Sequence, residues 1–192
     1  MAVDSSSYVS LEFCKAYAGD EGIDADTDDF LCDLINNVSR FIDTYTGRKL
    51  YRDTYTELYS GDMTDKLIPD NYPIISVTSL YDDTYRVYPA ETLIIPTDYG
   101  IVRDRWIQLY YDFFQYDINN VKITYVAGFE EIPKDLQEAC AEIVMWKYKE
   151  ARGGGDLNIQ SKSRVDTTTT YKADAIPKAA KDVLDLYRRL VA

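Results

Sequence analysis

Val121-Lys122-Ile123-Thr124-Tyr125-Val126-Ala127-Gly128-Phe129, followed closely by Ile132-Pro133-Lys134-Asp135-Leu136, is the stretch from which the fold is read. Val121, Ile123 and Tyr125 share one side of an alternating pattern, which predicts a strand with an apolar face. Pro133 suits the first position of a helix, where its missing N–H costs nothing. Behind it Leu136, Cys140, Ile143, Val144 and Lys147 fall along one stripe, with Ala139, Trp146 and Tyr148 beside it, as far as Gly153-Gly154-Gly155. A strand therefore passes almost directly into a long helix.

Upstream, Ser10 can cap a short helix over Leu11–Ala18, ended by Gly19. Asp20 to Asp26 reads as an acidic loop. Asp26 or Thr27 then caps a long helix whose Asp28 and Asp29 complement its dipole. Phe30, Leu31, Leu34, Ile35, Val38, Phe41, Ile42 and Tyr45 form its apolar face, and Gly47 stops it. The period then changes. Tyr51, Asp53, Tyr55, Glu57 and Tyr59 alternate with Arg52, Thr54, Thr56 and Leu58, predicting a strand with a Tyr-bearing face. Asp65–Ile68, Ile74–Tyr81, Tyr85–Tyr88, Thr92–Ile95, Gly100–Arg103 and Trp106–Tyr111 are further strand candidates. Residues 156–175 are polar and read as a loop or extended arm. Pro177 opens a last helix with Ala180, Val183, Leu184 and Tyr187 as its stripe.

The expected fold class is α+β: a small helical bundle of two long helices plus short N- and C-terminal helices, carrying a β-rich antiparallel insertion. Residues 1–50 and 120–152 form the helical core. Residues 51–119 form the Tyr-rich insertion, its sheet completed by 120–127. Residues 153–176 are a flexible arm and 177–192 a terminal docking helix. Short connections within the insertion predict an antiparallel meander.

Composition narrows the function classes. The 192 residues are 46% hydrophobic and 28% charged, as expected of a soluble globular chain, and include 18 tyrosines. Tyrosine suits half-buried sheet faces and protein interfaces equally. The net charge of −12 argues against wrapping nucleic acid. Residues 1–151 carry 13 Lys/Arg and 28 Asp/Glu, whereas residues 152–192 carry 8 and 5. The basic end reads either as a segment for an acidic partner or as an ordinary solvated helix. Cys14, Cys32 and Cys140 are far apart and on apolar positions, pointing to reduced thiols and an intracellular site of folding. No signal peptide is visible, no apolar run is long enough for a membrane helix, and the sequon Asn37-Val38-Ser39 falls mid-helix.

Catalytic patterns are weak. The chain has no histidine, so histidine-based triads are excluded, and three scattered thiols make a poor zinc site. Asp24 to Asp28 begins like a calcium loop, but Asp29 stands where Gly is needed and Ile35 where Glu is needed. The Gly153–Gly155 triplet follows a helix and lacks the Gly-Lys-Ser/Thr of a phosphate loop, so it reads as a hinge. Asp82-Asp83, Glu130-Glu131 and Asp112 with Asp117 are candidate carboxylate pairs for hydrolysis. Lys162, Arg164 and Lys172 could touch phosphate, without aromatic residues interleaved. Neither a cofactor nor a metal is expected.

The helix running into Tyr45-Thr46-Gly47-Arg48, the strand Val121–Tyr125 leading to Ala127-Gly128-Phe129, the Ile132–Leu136 helix start, Trp146 and the closing Leu186-Tyr187-Arg188-Arg189 together resemble the head–tail connector proteins of tailed bacteriophages, also called adaptor or head-completion proteins. The resemblance covers about residues 8–50 and 120–190. It implies a non-enzymatic virion component at the head–tail junction, made in the host cytoplasm. Its subunits would form a ring of about twelve under the portal protein, joined by heterologous contacts. DNA would pass through the channel without sequence-specific binding, kept from sticking by the surplus of acid. On that footing the helix from Lys178 to Leu190 is expected to dock on the portal through Lys178, Lys181, Leu184, Tyr187, Arg188 and Arg189. The arm bearing Gly153, Gly154, Gly155, Lys162, Arg164 and Lys172 would let it swing. A stopper or tail-completion protein, a carboxylate-dependent hydrolase and a generic protein-binding module are the alternatives.

Overall fold

The computed structural model describes residues 2–19, 27–152, 159–162, 169–171 and 176–189. The chain falls into two compact units, one formed by Met1–Gly47 with Ile132–Ala192 and the other by Arg48–Glu131. The class is α+β, with long and short helices in the first unit and antiparallel sheets in the second.

In the helical unit, Ser10 caps α1 (Leu11–Ala18), its Oγ accepting the Phe13 N–H at 3.1 Å. Helix α2 (Asp28–Thr46) buries Leu31, Ile35, Val38 and Ile42 at successive turns, while Phe30 stays 42% exposed and rests near the Tyr148 ring. Gly47 ends it with φ +71°, a conformation that favours glycine. Helix α3 (Lys134–Ala151) begins one residue later than expected, with Pro133 as its cap. It buries Leu136, Ala139, Cys140, Ala141, Ile143, Val144, Met145 and Tyr148, and α1, α2 and a C-terminal helix, α4 (Lys178–Leu186), all pack on it. The N-terminal segment is tied to α2: Asn36 Oδ1 accepts from Asp4 N and Ser7 Oγ, both at 2.9 Å, and the Tyr8 hydroxyl donates to Asp43. Ser39 of the sequon is buried in α2, accepting from Tyr8 N and donating to the Ile35 carbonyl. Two short strands, β7 (Ile159–Lys162) and β8 (Thr169–Tyr171), pair antiparallel, so the described part of the expected extended arm forms a ladder.

The second unit holds two three-stranded antiparallel sheets. The first has the order β1 (Asp53–Gly61), β6 (Asp117–Ala127), β3 (Ile74–Asp82). The second has the order β2 (Lys66–Leu67), β5 (Trp106–Leu109), β4 (Tyr99–Val102). The expected meander is thus corrected, because β6, the last strand of this unit, lies between β1 and β3. Placing the 11-residue β6 centrally pairs its backbone on both edges and puts Val121, Ile123, Tyr125 and Ala127 into the core with Tyr55, Leu80, Ile107 and Phe114. Among the described residues of this unit, only β4 and β5 pair as consecutive strands, from Tyr99 opposite Leu109 to Val102 opposite Trp106.

Two expected strands are absent from the described residues. Residues 85–88 wrap around the Asp83 carboxylate as a turn, and Ala90–Thr92 is a short 3-10 turn before a single bridge from Leu93 to Tyr81. The ends of the unit meet at a bridge between Tyr51 and Phe129. Gly128 is required there: its φ is +104° and a Cβ would lie 2.2 Å from the Tyr51 carbonyl oxygen.

Candidate functional site

Four of the six acids in the candidate carboxylate pairs, Asp82, Asp83, Asp117 and Glu130, have structural partners. Asp83 is buried, and its two oxygens accept the backbone N–H groups of Tyr85, Val87 and Tyr88 at 3.0, 2.8 and 2.7 Å. Burial alone would raise its carboxyl pKa, but these backbone bonds and the Arg86 charge outweigh burial and hold it low. Asp82 accepts from Asn120 Nδ2 and Gln115 N, both at 2.7 Å. Asp117 pairs with Arg86 at 2.8 Å, and Glu130 with Arg52 at 2.7 Å. All three thiols are buried, and burial pushes Cys14 up to about 12 and raises Cys140 as well. Among the described residues no group of three His, Cys, Asp or Glu side chains could hold a metal, and no helix is long and apolar enough to cross a membrane.

The terminal helix is placed differently from the expectation in one respect. Leu184, taken as a docking residue, is fully buried with Ala180 in the core of its own helical unit. The amphipathic stripe is consumed by packing on α3 and α2, because burying it there removes apolar area from water within the same chain. The Tyr187 hydroxyl donates to the Asp135 carboxylate at 2.8 and 2.9 Å, and the Arg189 N–H donates to the Thr46 carbonyl at 2.7 Å. Arg188 lies 3.9 Å from Asp185 and 5.7 Å from the Tyr45 ring centroid. Lys178, Lys181, Arg188 and Arg189 are exposed, and so are Asp182, Asp185 and Leu186, so the outer face of α4 is mixed in charge. Lys162 lies in β7; Gly153, Gly154, Gly155, Arg164 and Lys172 lie outside the described residues.

A feature of the β unit was not legible from spacing. Phe114 is pinned in the core, its N–H donating to the Thr64 carbonyl at 2.9 Å. This turns neighbouring Tyr111 and Phe113 outward, 92% and 57% exposed. They rim a cleft of about 470 Å³ whose lining includes Asp82, Glu91, Asp98 and Asp112 and no lysine or arginine. Glu91, Asp98 and Asp112 are exposed. An acidic, aromatic-rimmed cleft is suited to holding a cation. Elsewhere in the unit Glu57 joins Tyr125 and Asn71 at 2.6 and 2.9 Å and takes the Tyr59 hydroxyl as well. Burial, then the bond to Glu57, raises both phenols. Alternation showed that Tyr55, Glu57 and Tyr59 share a face; that Tyr125 and Asn71 meet them depends on strand order.

A family model described as head completion protein matches residues 8–190. The chain belongs to that family. Head completion members are thus its relatives in sequence, and among the solved chains that share its fold are three from particles of one kind. One, from the neck of an empty GTA particle computed with C6 symmetry, is 17% identical with a TM-score of 0.65, covering 100% of this chain and 95% of that one. A second, from the virion of a native gene transfer agent (GTA) particle, is 17% identical with a TM-score of 0.64, covering 100% and 94%. A third, from the neck of a native GTA particle computed with C12 symmetry, is 18% identical with a TM-score of 0.62, covering 100% and 94%. No curated protein sequence matches the chain. The family match spans both segments from which the connector resemblance was drawn, and the β unit between them as well.

Proposed function

We propose that this head completion protein is a non-enzymatic subunit of the head–tail junction. It forms a ring under the portal protein, extends the DNA channel and joins the head to the neck or tail. The observation that carries the reading is the family match over residues 8–190, joined to a full-length fold in common with chains from particle necks solved with cyclic symmetry. The ring has about twelve subunits, with DNA passing through its lumen and repelled by an acidic surface. Portal contact falls to the exposed cations Lys178, Lys181, Arg188 and Arg189 of the terminal segment. Leu184 and Tyr187 act indirectly, by holding α4 in its own unit.

Electron microscopy of cognate portal-bearing heads mixed with the purified chain tests this. Added density on the portal is expected, and Lys178→Glu/Lys181→Glu should remove most of it without changing the thermal melt. Binding to tails but never to portals would make the chain a stopper or tail-completion protein. Full decoration by the double variant would move the docking surface elsewhere.

A further inference from the structure

The β4–β5 hairpin carries opposite charge at its two ends. Its strands are four residues each, so the ends stand about 13 Å apart at the usual rise per residue. At the turn end, Arg103 and Arg105 flank Asp104, and the Lys66 ammonium lies 4.2 Å from the Trp106 ring centroid. The Arg103 guanidinium lies 5.9 Å from the same ring and that of Arg105 4.8 Å from the Tyr72 ring. Arg103 and Lys66 are exposed. At the open end Asp98 and Asp112 enter the acidic cleft, with Tyr111 and Phe113 at its rim and Asp82 and Glu91 beside them. Among the described residues no lysine or arginine pairs with Glu91, Asp98 or Asp112 within 4.0 Å.

Both ends are held in place. The turn is fixed by Ile74 N donating to the Asp104 carbonyl at 2.6 Å and Arg105 N to the Val102 carbonyl at 3.1 Å. The cleft end is fixed by Tyr110 N donating to the Asp98 carbonyl at 2.9 Å and by Gln115 N donating to Asp82 at 2.7 Å. Rigid display of complementary charge lowers the ordering cost of association.

We infer that the cationic turn of one copy docks in the acidic, aromatic-rimmed cleft of the next, making this hairpin a head-to-tail contact between neighbouring subunits. A cyclic ring joins two different patches of the same chain, and this unit presents a positive and a negative patch on one element. Exposed faces of Tyr111 and Phe113 offer stacking for the Arg103 guanidinium, and the carboxylates offer its counter-charge. The contact rests on the ring reading and deepens it: the terminal helix is left for the portal, and the β unit closes the ring.

Charge reversal tests the pairing. Asp98→Arg/Asp112→Arg inverts the cleft and Lys66→Glu/Arg103→Glu inverts the turn; all four side chains are exposed, and thermal melts check that both chains fold. Assembly is read by sedimentation velocity and by microscopy of portal-bearing heads. Each reversed chain alone should associate at least tenfold more weakly than the unaltered chain. An equimolar mixture should assemble again, because reversed turn meets reversed cleft and the retained halves meet each other. If a reversed chain unfolds, the neutral pair Asp98→Asn/Asp112→Asn and Lys66→Gln/Arg103→Gln replaces it; each should then weaken assembly, without rescue on mixing. Either reversed chain assembling normally, or a mixture of the reversed chains that stays dispersed, overturns the contact. Normal rings that no longer bind the next neck component would assign the cleft to that partner and also overturn it. Portals left bare by the unaltered chain would defeat the connector reading and this contact together, whereas portals decorated by every variant would defeat the contact alone.

Discussion

At the scale of single residues, the acids and tyrosines of the β unit act through hydrogen bonds that the sequence does not announce. The Tyr125 hydroxyl donates to Glu57 and accepts from Asn71 N, so Tyr125→Phe leaves the buried Asn71 N–H without its acceptor and removes one of the donors to Glu57. A loss of about 1–3 kcal/mol in urea unfolding is expected. Because the folded state raises this phenol and that of Tyr59, their contribution is present below the ordinary tyrosine range and is lost as pH climbs above about 10. Asp83 works in the opposite direction. Its lowered carboxyl contributes stability above about pH 4 that disappears as pH falls through its folded value. The acid limb of the urea midpoint against pH should therefore flatten in Asp83→Asn; an unchanged limb would mean that the 85–88 turn does not depend on this charge. Asp82-Asp83 looked like a catalytic pair because adjacency is visible in sequence, whereas the three N–H groups on Asp83 come from a turn of residues first expected as a strand.

At the scale of elements, period located α2, α3 and α4, each of which buries a stripe at helical spacing, while α1 was read from its Ser10 cap and Gly19 stop. It could not say what each stripe meets. Leu184 sits on such a stripe, and the stripe is equally suited to a partner or to α3. Leu184→Ala should cost about 2–5 kcal/mol in the melt of the helical unit, as large-to-small changes in a core do. Lys181→Glu, on the exposed face of the same helix, should stay within about 0.5 kcal/mol. Equal and small effects for both would return Leu184 to the docking surface. Strand order was hidden for a related reason. The strong alternation of β6 fixes its type and its inward face, but pairing with β1 and β3 is settled by which edges leave no backbone group unpaired.

At the scale of the whole molecule, the chain is organised as a helical unit interrupted by residues 48–131, whose two ends meet at the Tyr51–Phe129 bridge. A segment that starts and finishes at one place and holds its own core can fold alone. Residues 48–131 expressed separately should show β-type circular dichroism and one cooperative melt; a disordered product would make its core dependent on the helices. The sequence by itself determined the α+β class, helices α1 to α4, the acidic balance and, through motifs near both ends, the connector resemblance, because periodicity, caps and charge are local properties. Only the tertiary structure decided that β6 lies mid-sheet, that Leu184 faces inward, and that Asp98 and Asp112 open a cleft opposite Arg103. Each of those depends on which distant segments compete to cover the same apolar surface and backbone edges, and that competition is resolved only when the whole chain has packed.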